Sequence, residues 1–195
     1  DPQHVPEDEY DFESYTYVEL DGGGSYVTKL SSLPWRTTDI YSGDSGMGGI
    51  TDISELAYAD ASNITDMRYA FCDCSASDFT PLANWKISKC TDFTHAFEGC
   101  DMTSMGWISG WKLQGDLNSI FSWCNGIKSL DGMEDMDMSG VTSMRSMFFN
   151  CTALKDISAV KKWNVSNVTD MGAMFRGCSL RDMTDFQVFA DWDVS

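Results

Sequence analysis

Seven cysteines, two histidines and 30 carboxylates are the side chains of this 195-residue chain that could do chemistry. A zinc site needs Cys and His in close pairs that converge on the metal. The histidines are His4 and His95, far apart in sequence, and five of the cysteines recur at near-equal intervals, so no such set is visible. Asp135-Met136-Asp137-Met138-Ser139-Gly140 opens like a calcium loop, with Asp135, Asp137 and Ser139 at ligand positions. The twelfth place is Ser146 where a bidentate Glu belongs, and Met136 and Met138 read as core residues, so the candidate is incomplete. Ser45, in Gly43-Asp44-Ser45-Gly46, would need a His base and an orienting Asp to act as a nucleophile. His4 alone precedes it, which leaves a Gly-rich loop. No residue set supports catalysis or calls for a cofactor.

What the cysteines mark instead is a repeat. Met67, Phe93, Leu117, Met144 and Met171 each lead, seven places on, to Cys74, Cys100, Cys124, Cys151 and Cys178. From one opener to the next the sequence number steps by 26, 24, 27 and 27. Periods of roughly 20 to 50 residues mark stacked-repeat proteins. Apolar residues stand at the opener and three, four and seven places beyond it: Met67/Ala70/Phe71/Cys74, Phe93/Ala96/Phe97/Cys100, Leu117/Ile120/Phe121/Cys124, Met144/Met147/Phe148/Cys151 and Met171/Met174/Phe175/Cys178. That spacing predicts a two-turn α-helix with one buried stripe. Thr65, Thr91, Thr142 and Thr169, two places before the opener, and Asp116, one place before, are expected to cap it. So short a helix is unstable alone and must bury its stripe against a neighbour.

The second half of the unit supplies one. Ile127-Lys128-Ser129-Leu130, Leu154-Lys155-Asp156-Ile157 and Leu180-Arg181-Asp182-Met183 bracket a polar pair with apolar residues, as a short strand does. Trp85, Trp111, Trp163 and Trp192 follow, with Met136 in that place in the third copy. Helix, strand and turn, stacked repeatedly, bury a core between a helix layer and a parallel strand ladder. The phrase from Trp163 through Val165-Ser166-Asn167-Val168-Thr169-Asp170-Met171 to Met174-Phe175 and Cys178 is echoed over 141–154 and 63–74. It resembles the repeat of BspA-type leucine-rich-repeat surface proteins, including the branch first described in mycoplasma lipoproteins. The resemblance covers about residues 62–195 and is weakest over 115–124. It implies an α/β solenoid: a right-handed, leucine-rich-repeat-like coil of short helices and a parallel strand ladder. It also implies an extracellular or cell-surface location and adhesion to host, matrix or neighbouring-cell proteins.

Charge and composition narrow the partners. The net charge is −17, and residues 1–60 carry 13 acidic against 2 basic residues. Such a chain repels phosphate backbones, which excludes nucleic acid as a partner. No run of 18 apolar residues occurs, so no membrane insertion is expected. An apolar content of 43% fits a packed core. The five periodic cysteines are expected to form an inward ladder of free thiols. Helices pack about 10 Å apart, beyond the roughly 7 Å Cα reach of a disulfide. Cys72 and Cys90 fall outside that ladder and are the disulfide candidates.

In chain order, residues 1–13 read as an acidic tail or linker and 14–61 as an N-terminal capping region. Tyr15–Leu20 and Ser25–Leu30 around Gly22-Gly23-Gly24 predict its β-hairpin. Ile50–Tyr58 reads as a vestigial repeat or capping helix. Residues 62–195 are the five-repeat solenoid. Trp192-Asp193-Val194-Ser195 repeats Trp163-Asn164-Val165-Ser166, so the last layer is expected to be open and able to pair with another chain. The pairs Lys128/Ser129, Lys155/Asp156 and Arg181/Asp182 should align as an outward row, the candidate binding face. Asn63, Asn150, Asn164 and Asn167 head glycosylation sequons, although the Asn-Val-Thr phrase also recurs for capping reasons. The expectation is a protein-interaction or adhesion module; the alternative is a building block of a surface layer, appendage or large extracellular assembly, joined end to end.

Overall fold

The computed structural model describes residues 50–59, 61–181, 185–190 and 192. The acidic tail, the expected hairpin, Ser45, Asp182 and the closing Asp193-Val194-Ser195 lie outside them. Within them the repeat takes a different local form from the expected one. No α-helix occurs among the described residues. Each segment from opener to Cys is a run of tight turns. The amides of Ala70, Cys72 and Cys74 donate three places back, to Met67, Tyr69 and Phe71, at 3.1–3.2 Å. The alternate amides of Met67, Tyr69, Phe71 and Asp73 donate forward to Asp92, Thr94, Ala96 and Glu98 of the next repeat, at 2.7–3.0 Å. The same four places bond Phe93–Gly99 to Asp116–Ser122, Leu117–Trp123 to Ser143–Phe149, and Met144–Asn150 to Asp170–Arg176.

An α-helix would consume all these amides internally. A chain of overlapping four-residue β-turns shows the same apolar spacing but frees every second amide for a neighbour. The sequence pattern cannot tell the two apart, and the helix expectation fails for that reason. The turn chain requires left-handed backbone at the third and seventh places. Tyr69 and Asp73 have φ 56° and 56°, His95 and Gly99 56° and 69°, Ser119 and Trp123 56° and 62°. Ser146, Asn150, Ala173 and Gly177 continue the pattern. Positive φ at the third place of a turn is the type II signature.

The parallel ladder lies just before the opener. Asp66, Asp92 and Asp116 bridge in succession, and Ser143 bridges Asp170. Between them β1 (Gln114–Asp116) pairs in parallel with β2 (Gly140–Ser143). At the place where the strand was expected, one bridge forms among the described residues, Ser129 to Asp156. Neighbouring repeats therefore sit at strand spacing, about 4.8 Å, and not at the expected helix spacing. Phe71, Phe97, Phe121, Phe148 and Phe175 stack in file with centroids 5.1–5.7 Å apart.

The second half of every unit except the one opened by Leu117 carries a 3₁₀ helix: Ser54–Tyr58, Thr80–Leu82, Gly106–Gly110, Ser158–Lys162 and Asp185–Phe189. Ile50–Tyr58 is thus the counterpart of Leu154–Lys162, the second half of a repeat. Each repeat-position Trp is tied to the unit before it. Indole N–H groups of Trp85, Trp111, Trp163 and Trp192 donate to the carbonyls of Leu56, Leu82, Met133 and Val160 at 2.8–3.0 Å. Trp107 is an extra buried indole, and its Nε1 has no hydrogen-bond partner among the described residues.

Candidate functional site

The openers, Phe and Cys of the first four repeats are buried, and Met171, Phe175 and Cys178 of the last are half-buried. Aspartates, not threonines, cap these segments. Asp66, Asp92, Asp116 and Asp170 accept the amides of Arg68, Thr94, Asn118 and Gly172 at 2.7–3.0 Å. The threonines link repeats instead: the Thr91 amide donates to the Thr65 carbonyl, and the amide and hydroxyl of Thr169 donate to the Thr142 carbonyl. The amide of Gly172, then Arg145, holds the Asp170 carboxyl below its usual range.

All seven thiols are free, including Cys72 and Cys90. The expected reason, a helix-to-helix gap too wide to bridge, is wrong. At strand spacing the obstacle is finer: a disulfide needs Cβ atoms about 3.5–4.5 Å apart, closer than in-register rungs allow. Burial pushes the Cys74 and Cys178 thiols up to about 11. Cys72 rises to about 12, first through burial and then through Asp73 and Glu98. Cys90 occupies a core column shared with Ile64 and Val141.

The calcium candidates do not converge. Asp135 faces Lys162 at 3.3 Å, and Asp137 accepts the amide and hydroxyl of Ser139, which lowers its pKa. No group of three or more His, Cys, Asp or Glu able to hold a metal occurs among the described residues. In the expected binding row, Lys128 and Lys155 are exposed neighbours, with the Lys155 amide on the Lys128 carbonyl. Asp156 caps Ser158, and Arg181 is exposed. Of the sequon residues, Asn167 donates its amide to the Ser139 carbonyl at 2.7 Å, and Asn63 accepts from Lys89. Asn164 accepts from Ser166, and Asn150 sits where a Cβ on Gly177 would overlap its side-chain oxygen.

A family described as "Mycoplasma protein of unknown function, DUF285" matches residues 51–118 and again residues 115–195. The two matches meet at the third opener, Leu117, so each covers a block of consecutive repeats. The chain belongs to the DUF285 family. No curated protein and no solved structure matches it. No helix among the described residues is long and apolar enough to cross a membrane.

Two outward clusters of this DUF285 chain escape a reading by core period. Tyr69, 38% exposed, lies flat on His95 at 4.7 Å, and His95 Nδ1 contacts Glu98. Trp123 meets Phe149 edge-on at 6.0 Å, and Arg176 lies over Phe149. The signal in the sequence is an aromatic at a repeat position that other copies fill with polar or small residues. The last described repeat also presents a distinctive rim. Among the described residues, the amides of Met171, Ala173, Phe175 and Gly177 have no acceptor, while the carbonyls between them are bonded to the preceding repeat.

Proposed function

We propose that the chain is a solenoid module of the BspA-type leucine-rich-repeat kind, extracellular or cell-surface, that binds proteins through its repeated outer face and does no catalysis itself. One observation carries the reading: amide–carbonyl bonds of 2.7–3.0 Å lock each repeat to the next, so outward residues stand in fixed rows. Preorganised rows lower the entropy lost on association. Exposed aromatics and arginine in those rows have the composition of interaction hot spots. The test is a titration of the chain over immobilised extracellular-matrix proteins. Saturable binding below high micromolar concentration supports the reading; its absence across the panel counts against it.

The ladder between repeats favours a second reading, a building block joined end to end: in the rungs from opener to Cys the earlier repeat donates its amides and the later one accepts at its carbonyls, so the two sides of a unit are complementary. Association through such rungs is head to tail, which leads to open chains and not closed dimers. Size-exclusion chromatography with light scattering decides: mass that grows with concentration supports it, and a monomer throughout removes it.

A further inference from the structure

Trp123 is held at φ 62° and is 48% exposed. The other residues of its column are Asp73, Gly99, Asn150 and Gly177. Those are the residue types that tolerate left-handed backbone, and a bulky aromatic is not among them. The repeat-position tryptophans Trp85, Trp111 and Trp163 are buried with their indoles bonded. Trp123 therefore serves neither the turn nor the core. Strain of this kind, kept at an exposed position, points to function.

Its surroundings indicate what it meets. Trp123, Phe149 and Arg176 come from three successive repeats, fixed by the Trp123 amide on the Phe149 carbonyl and the Asn150 amide on the Arg176 carbonyl, each 2.7 Å. The Arg176 guanidinium lies 6.0 Å above the Phe149 ring and forms no ion pair among the described residues. In a chain of net charge −17, Arg176 sets a positive charge over the Phe149 ring, whose edge contact is Trp123. Arginine recognises carboxylates through paired N–H donors, and the exposed indole face takes an apolar group.

We infer that the Trp123–Phe149–Arg176 patch docks a protein segment that presents an apolar side chain next to a carboxylate. This rests on the protein-interaction reading above. The probe is a displayed library of random peptides panned on the chain, with the enriched peptides then titrated against wild type, W123N and R176Q. Enriched peptides should combine Asp or Glu with an apolar residue, and each variant should weaken them about tenfold or more. W123N should melt no lower than wild type, because Asn suits the left-handed position as Asn150 does. Peptides that bind both variants like wild type overturn the patch but leave a protein-binding module standing. A library without binders, beside positive glycan-array signals, overturns both. A melting point several degrees lower for W123N would make Trp123 a structural residue and end the inference.

Discussion

The thiol of Cys100 donates to the carbonyl of Phe71 at 3.0 Å, and the same carbonyl accepts the amide of Cys74 at 3.1 Å. A carbonyl has two lone pairs, so one serves its own repeat and the other the next. Cys124 to Phe97, Cys151 to Phe121 and Cys178 to Phe148 repeat the arrangement at 3.0–3.1 Å. The cysteine is therefore a small core residue that also links repeats. Cys124→Ala should lower stability by about 1–3 kcal/mol, from the lost sulfur packing and weak hydrogen bond. Urea unfolding reads it; an unchanged midpoint would mean that the sulfur is passive filler.

Stability should fall at alkaline pH. Cys74 is fully buried, and burial raises its thiol to about 11. An unfolded thiol titrates near 8.5. A raised folded value means that the contribution is complete below the unfolded pKa. It is lost between about pH 9 and 11, where the unfolded chain releases a proton that the folded chain keeps. The slope is about 1.4 kcal/mol per pH unit for such a thiol. Urea midpoints at pH 7, 9 and 10 should decline in order, and Cys74→Ala should reduce the decline.

The indole of Trp111 reaches the Leu82 carbonyl at 2.9 Å. Trp111→Phe keeps a ring in the core and removes that bond, an expected loss of about 1–2 kcal/mol. Trp111→Ala should lose about 3–5 kcal/mol. Thermal melts of the pair separate the hydrogen bond from the packing. Equal losses would show that the bond contributes nothing measurable.

Gly115 has φ 73°, and an added Cβ would overlap the backbone carbonyl of Thr91. Gly99 has φ 69°, but there the overlap is with the Asp73 side chain. A carboxylate can rotate away and a ladder carbonyl cannot. Gly115→Ala should therefore destabilise by about 3 kcal/mol or more, and Gly99→Ala by less. Asp73→Ala should recover part of the Gly99→Ala loss in a double-mutant cycle. No recovery would leave φ alone as the cause.

The recurrence from Met67 to Met171 and the apolar places within each copy were legible in the chain alone. They identify which side chains turn inward, because burial follows residue type and spacing. The cap is half legible: the carboxylate of Asp116 stands out, but Thr65 and Thr91 look like equally good caps beside Asp66 and Asp92, which do the capping. Local pattern could not choose between helix and turn chain, since both bring residues three and four apart to one side.

Tertiary structure made that choice. The amide of Met67 is satisfied by the carbonyl of Asp92, a whole repeat further along, and no local window contains both. The same holds for the meeting of Trp123, Phe149 and Arg176. Sequence determined what each repeat must hide. Where its amides would find acceptors, and so which exposed side chains would stand together, followed from the neighbouring repeats, because every backbone group withdrawn from water needs a partner.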